Sequence, residues 1–333
     1  MRITLFSTRP YDRESFQAAN QHHGHEIVYR EELLTAESAH LAQGSEGVCV
    51  YVNDRVDAPT IEKLKEGGCQ IVVTRSMGFN QIDLVAAERN GLPIARVPHY
   101  SPHSVSEFTV GLILTLTRKI HRAYMRSRDF DFNLAGLTGT QLSDKTIGVL
   151  GAGQIGSLVI KALAGFGGRI VYHDRYEQPH LQGIAEFKDI NGLTDISDIV
   201  VLNLPLTPET HHLVNAETIP RLKHGVLIVN TGRGALIDAN ALVEGIKSGQ
   251  IGGAALDVYE DEASLFYSDR SADVLQDDTF CRLLTFPNVI VTSHMAYFTD
   301  HALSDIAGTA LLAFSEFAAG KPLSTQVDSP KSN

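Results

Sequence analysis

The chain has 333 residues, which at roughly 100 to 200 residues per domain suggests about two domains. Its 43% hydrophobic and 20% charged content is ordinary for a globular protein and excludes a wholly disordered or fibrous chain. The formal net charge of −11 repels phosphate backbones at long range, so no nucleic-acid partner is expected.

Cys49, Cys69 and Cys281 are odd in number, widely spaced and without a CxxC pair, which argues against a disulfide framework or a structural zinc site and fits a reducing compartment. No apolar run approaches the roughly 18 to 20 residues that span a bilayer. The run 110–117 is soon stopped by Arg118 and Lys119, and the first residues meet Ser7 and Arg9 too early for a secretion signal. A cytoplasmic protein with no membrane partner and no metal is expected.

In chain order, short apolar runs at 3–6, 27–29, 47–52, 71–74 and 94–97 alternate with segments of helical length. That is the pattern of parallel strands buried on both faces, so the fold class is α/β. A helix at 104–118 follows, with Val105, Phe108, Val110, Leu112, Ile113 and Leu116 covering more than one stripe; such a helix belongs between domains or subunits. Pro98, Pro102 and the stretch 134–144 mark crossings between halves. A second series of strands is expected at 146–150, 169–173, 199–204, 226–230, 254–256 and 289–292. After Ala302 a last helix is expected to return to the first domain, and the polar tail from Ser324 to fray.

Between the strand at 146–150 and a helical pattern lies Gly151-Ala152-Gly153-Gln154-Ile155-Gly156, a GxGxxG loop. Alone the motif is weak. In this setting the glycines allow a tight turn, close approach of backbone to a pyrophosphate and close helix–strand packing, with the helix N-terminus facing the phosphates. Eighteen residues beyond Gly156, Asp174 ends the next strand, where a carboxylate accepts from ribose hydroxyls and repels a 2′-phosphate. NAD(H) is therefore the expected cofactor, with Arg175 the one feature that favours NADP.

Ligands of such sheets lie beyond the carboxyl ends of the strands. Three of those ends carry Arg233, the acidic run from Asp257 to Glu262, and His294. Reduction of a 2-keto acid needs a cation for the carboxylate, a proton for the nascent alkoxide and a group that holds the proton donor. Arg233 offers a forked pair of hydrogen bonds and His294 a proton. A carboxylate on the other ring nitrogen orients the imidazole and favours its charged form; Glu260 and Glu262 both qualify. His22, His23 and His25 read as a solvated loop, His211 and His212 as a surface helix start, and Asp277 and Asp278 as a solvated acidic loop.

With these residues the chain resembles the D-isomer-specific 2-hydroxyacid dehydrogenases, and within them the NAD-dependent fermentative D-lactate dehydrogenases. The resemblance runs from about Met1 to Leu323. It rests on Arg75-Ser76-Met77-Gly78-Phe79, Val97-Pro98-His99-Tyr100-Ser101-Pro102, the glycine loop, Asn230-Thr231-Gly232-Arg233-Gly234, Leu256-Asp257-Val258-Tyr259-Glu260 and the His294 segment. It implies two doubly wound parallel-sheet domains with a cleft between them. These are a discontinuous flavodoxin-like substrate domain, 1–101 with 299–333, and a Rossmann NAD-binding domain, 102–298.

The resemblance also implies Arg233, Glu262 and His294 as the catalytic residues, with Glu262 chosen over Glu260 because it stands five residues after Asp257. Met77, Gly78, Tyr100 and Tyr297 are the implied substrate residues. The implied cofactor residues are Gly151, Gly153, Gln154, Ile155, Gly156, Asp174, Pro205, Thr231, Gly232 and Asp257. Tyr297 stands where the lactate branch usually has Phe, and Ser293 where Pro or Gly is usual, which bears on the preferred keto acid. Pyruvate reduction to D-lactate in a homodimer or homotetramer is the leading expectation. Glyoxylate, hydroxypyruvate or a bulkier 2-keto acid is the alternative substrate, and an NAD-sensing, corepressor-like protein the alternative class.

Overall fold

The apolar runs fold into short strands because residues such as Val48, Val72 and Val200 are buried, and every ladder between named strands is parallel. The computed structural model describes residues 1–328. In chain order, β1 (Arg2–Leu5), α1 (Pro10–Asn20), β2 (Glu26–Tyr29), β3 (Gly47–Val50), α2 (Ala58–Glu66), β4 (Ile71–Thr74), α3 (Leu84–Arg89) and β5 (Ile94–Arg96) come first. Next are α4 (Pro102–Arg118), α5 (Ile120–Arg128), β6 (Thr146–Leu150), α6 (Gln154–Ala164), β7 (Arg169–His173), β8 (Glu186–Phe187), α7 (Ile190–Thr194) and β9 (Ile199–Leu202). The chain continues with β10 (Val226–Asn230), α8 (Ala239–Ser248), β11 (Ile251–Leu256), α9 (Asp278–Thr285), β12 (Val289–Val291) and α10 (Asp300–Ala318).

The chain forms two compact units, one of Met1–Ser101 with the chain from Phe298 onward, the other of Pro102–Tyr297. In the first, the strand order is β2-β1-β3-β4-β5. Phe6, Val48, Val50, Ile61, Leu64 and Val72 belong to one core cluster of this unit. Elsewhere Phe314 of α10 sits so close to β3 that a Cβ on Gly47 would stand 2.6 Å from its ring, so only glycine fits there. From Ser324 to Asp328 the tail does not fray as expected, and 329–333 lie outside the described residues. The Val327 amide donates to the Ile94 carbonyl and the Arg96 amide to the Thr325 carbonyl, so the tail satisfies edge groups of β5 that otherwise lack a ladder partner.

In the second unit the order is β12-β11-β10-β9-β6-β7-β8. Alternate strand residues divide between two cores. Ile147, Val149, Val201 and Val229 join Leu112, Ile113 and Leu116 of α4 and Val159 and Leu163 of α6. Leu150, Val200, Leu202 and Ile228 join Leu242 and Ile246 of α8 and Leu283 of α9. Asp238 and Asp277 accept the amides of Ala241 and Phe280, which starts α8 and α9; such caps stabilise by about 1 kcal/mol each. Asp277 is thus a helix cap, not part of a freely solvated acidic loop.

Two histidine expectations also change. His211 and His212 start no helix; His212 has a φ of 49° and its Nε2 lies 2.8 Å from Glu260 Oε2. His23 Nδ1 and His25 Nε2 lie 2.9 and 3.0 Å from the single hydroxyl of Ser315 on α10, so these rings are packed against a helix. No helix among the described residues is long and apolar enough to cross a membrane.

Candidate active site

The glycine loop joins β6 to α6. Gly151 has a φ of 92°, a left-handed conformation that other residues rarely adopt. A Cβ there would stand 2.6 Å from the Asn203 carbonyl oxygen, and one on Gly156 would stand 1.9 Å from the Gly151 carbonyl oxygen. Gly153, by contrast, faces open space: among the described residues nothing lies within 4 Å of its Cβ position. Ala152, Gly153 and Gln154, at the N-terminus of α6, line a cavity of about 410 Å³ together with Ser157, Lys161 and His180. Ile155 follows in the first turn of α6 and packs partly against the core.

These residues fit a dinucleotide. The first amides of a helix have no intrahelical partner and are available as donors for phosphate oxygens. Asp174 Oδ2 accepts from the Ala152 amide at 2.7 Å and Oδ1 from the Arg175 amide at 2.6 Å, which fixes a half-buried carboxylate at the end of β7. Beside the loop, Asn203 Nδ2 is a buried donor with no partner among the described residues. Sequence reasoning passed over Asn203 and His180. The only signal for them was that Asn203 leaves a strand at its carboxyl end; His180, 2.9 Å from Ser157 Oγ, had none.

β10, β11 and β12 are neighbours, paired in register at Asn230 with Leu256 and Leu256 with Val291. The three expected catalytic segments therefore leave adjacent strands at one end of the sheet. Arg233 is exposed at the exit of β10. Its turn is tied down by Asn230, whose Nδ2 donates to the Arg233 carbonyl at 2.9 Å and whose Oδ1 accepts from the Gly232 amide at 3.0 Å. Gly234 lies so close to the Tyr259 backbone that a Cβ would stand 2.0 Å from its carbonyl carbon.

His294 Nδ1 lies 2.6 Å from Glu262 Oε1, and Glu262 Oε2 accepts from the Tyr259 amide at 3.0 Å. Glu260 is spent elsewhere: its carboxylate meets His212 and the Ala239 amide at the start of α8. The structure thus pairs Glu262, and not Glu260, with the imidazole.

Asp257, expected on the nicotinamide side, is completely buried. Oδ1 accepts from the Thr292 hydroxyl at 2.6 Å and the Met295 amide at 2.9 Å, and Oδ2 from the Ala296 amide at 2.9 Å. The Asp257 carbonyl also accepts from the His294 amide at 2.7 Å. Asp257 therefore braces the turn that carries His294, whose φ of 53° is uncommon for a residue with a side chain.

Thr231 is nearly buried, its hydroxyl 2.8 Å from that of Thr109 on α4, and Pro205 is exposed past the end of β9. Tyr297 is half-buried. In the other unit, Met77, Gly78 and Tyr100 are half-buried beyond the ends of β4 and β5. Ser76 Oγ donates to the Gly78 carbonyl at 2.7 Å, and Arg96 Nη1 to the Met77 carbonyl at 3.0 Å. No cluster of His, Cys, Asp or Glu among the described residues is arranged to hold a metal ion.

Comparison with known proteins identifies the family. A family model described as D-isomer specific 2-hydroxyacid dehydrogenase, NAD binding domain, matches residues 110–296. The chain is 49% identical over 320 residues to 2-hydroxyacid dehydrogenase homolog 1 of Schizosaccharomyces pombe, covering 96% of each. It is 43% identical over 322 residues to the D-lactate dehydrogenase of Escherichia coli, covering 96% of this chain and 98% of that one. A solved structure of the pyruvate reductase of Chlamydomonas reinhardtii matches with a TM-score of 0.94 at 35% identity over 98% of each chain. The chain belongs to the D-isomer-specific 2-hydroxyacid dehydrogenase family, as an NAD-dependent oxidoreductase similar to its D-lactate dehydrogenases.

Proposed function

We propose that the enzyme reduces pyruvate to D-lactate, reversibly, with NADH. The observation that carries this reading is the 2.6 Å contact of His294 Nδ1 with Glu262, one strand over from Arg233. When bound, the dinucleotide supplies the hydride. An ionised carboxylate has only acceptors, so Glu262 keeps a proton on Nδ1 and leaves Nε2 as the atom that exchanges a proton with substrate. In the reducing direction the imidazolium gives its Nε2 proton to the carbonyl oxygen as that oxygen becomes an alkoxide. Arg233 grips the keto-acid carboxylate with its fork and polarises the adjacent carbonyl.

The Met77 and Gly78 amides and the Tyr100 hydroxyl serve the same substrate, which makes 1–101 with 299–333 the substrate domain and 102–298 the NAD-binding domain. In that second domain the glycine loop holds the pyrophosphate, and Asp174 accepts from the adenosine ribose and selects against a 2′-phosphate. A second reading, glyoxylate, hydroxypyruvate or a bulkier 2-keto acid as substrate, is motivated by Tyr297, which is half-buried and carries a hydroxyl where the lactate branch usually has Phe. A keto-acid panel run with NADH and with NADPH, with chiral analysis of the product, tests both. Pyruvate and NADH should give the highest kcat/KM and D-lactate the product. Preference for another 2-keto acid selects the second reading; L-lactate or no turnover contradicts the proposal.

A homodimer is proposed with it. α5 has no buried residue, and Tyr124, Met125, Phe130, Phe132 and Leu134 are all more than half exposed. Such a run of apolar side chains just after α4 suits a second copy of the chain. Sedimentation of a Tyr124→Glu/Met125→Glu variant as a dimer would contradict this assignment.

A further inference from the structure

The largest fully buried side chain among the described residues is that of Arg75, the residue that leads from β4 into the 76–79 turn. A guanidinium without solvent is costly unless its donors are met, and here they are. Nε lies 3.3 Å from Asp12 Oδ1, Nη1 donates to the Phe6 carbonyl at 2.9 Å, and Nη2 to the Ser7 carbonyl at 2.8 Å. The planar group also lies 4.9 Å from the centroid of the Tyr51 ring. One side chain thus ties the root of the 76–79 turn to the exits of β1 and β3 and to the first turn of α1.

The partners are themselves fixed. Ser7 has a φ of 51°, and its hydroxyl donates to the buried Asp54 at 2.6 Å. Asp54 also accepts from the Leu34 and Tyr51 amides. Asp12, in turn, accepts from the Arg9 amide. Beyond Arg75 the turn is held again, by Ser76 Oγ on the Gly78 carbonyl and by Arg96 on the Met77 carbonyl.

Packing alone does not call for this arrangement, because well-packed hydrophobic residues of similar volume often replace a buried ion pair without loss of stability. The fork is placed where the direction of two backbone amides matters. We propose that Arg75 is a positioning residue for keto-acid binding, aiming the Met77 and Gly78 amides at the substrate carboxylate through its fork to Phe6, Ser7 and Asp12. This rests on the assignment of those amides to the substrate. Lysine keeps the charge but cannot span two carbonyls and a carboxylate in one plane.

The test is Arg75→Lys in the full-length enzyme, read by pyruvate KM, kcat, oxamate Kd, NADH Kd and thermal midpoint. The expected result is a rise of about tenfold or more in KM and oxamate Kd, with kcat changed by less than about threefold and NADH Kd unchanged, the pattern of lost substrate binding. Methyl pyruvate, which lacks the carboxylate, should show no such rise. If Arg75→Lys does not fold, Asp12→Asn, which is isosteric, decides and should raise pyruvate KM in the same selective way. Unchanged pyruvate KM in a folded variant, or equal rises for pyruvate and its ester, overturns the role of Arg75 alone. A wild-type enzyme with no keto-acid turnover overturns the functional reading and this inference together.

Discussion

His294 Nδ1 and Glu262 Oε1 lie 2.6 Å apart although 32 residues separate them in the chain. The carboxylate is in turn anchored by the Tyr259 amide. The pair has one geometry because both partners sit on turns that leave neighbouring strands. Replacing Glu262 by Gln removes the charge that holds Nδ1–H while leaving an oxygen for the Tyr259 amide. Pyruvate turnover should fall by about 100-fold or more, the range for loss of positioned acid–base catalysis, with the NADH Kd within twofold. Steady-state kinetics and NADH fluorescence titration check this; an undiminished kcat contradicts it.

Asp257 makes a second prediction, about stability. Its side chain is completely buried, and its two oxygens accept three hydrogen bonds from the 292–296 turn. Asp257→Ala leaves the Met295 and Ala296 amides and the Thr292 hydroxyl without their acceptor, a cost of about 2 to 4 kcal/mol. The thermal midpoint and kcat should fall together, because the turn carries His294. A variant that loses activity with an unchanged thermal midpoint would show that Asp257 acts on the cofactor after all.

The glycine loop allows a separation of folding from binding. A Cβ on Gly153 meets no protein atom, whereas one on Gly156 collides with the Gly151 carbonyl. Gly153→Ala should therefore keep the wild-type thermal midpoint yet weaken NADH binding by about tenfold or more, because the added methyl occupies space meant for the pyrophosphate. Gly156→Ala should lower stability itself. Calorimetric titration and thermal melts of both variants check this; unaltered NADH affinity in Gly153→Ala would place the dinucleotide elsewhere.

Acid should loosen the first unit through His23 and His25. Burial lowers the pKa of both rings below the ordinary value of 6.5, and in each case it is the largest cause. The unfolded chain then takes up protons that the folded chain refuses. Their contribution is fully present above the unfolded value and is lost as pH falls through the depressed folded values. Going from about pH 7.5 to about pH 5.5, His23→Asn/His25→Asn should lose less thermal stability than the wild type. Equal losses would assign the acid sensitivity to other groups.

The buried strands were legible because a parallel strand covered on both faces is an unbroken apolar run, as at Ile71–Thr74 and Thr146–Leu150. The cofactor loop was legible because its glycines, helix and acid are close in sequence. β8 was not: it is two residues long, and both are exposed, so no apolar run marks it. The pairing of His212 with Glu260 spans 48 positions and that of His25 with Ser315 spans 290, so neither leaves a local pattern. Asp257 was placed beside the cofactor by the family resemblance alone, because no local pattern marks its partners in the 292–296 turn. Only coordinates reveal that its carboxylate points down into the His294 turn. The Arg75 knot was missed for a related reason, since an arginine after a strand reads as a surface cation until its partners at Phe6, Ser7 and Asp12 are seen.

His294 is proposed as the proton donor to a keto acid reduced by NADH. The direct measurement is the pair of quantities kcat with pyruvate and Kd for NADH in His294→Ala, set beside the wild type. In that variant kcat should fall by about 100- to 10,000-fold while the NADH Kd stays within twofold. Retention of kcat, or parallel loss of turnover and NADH binding, would contradict it.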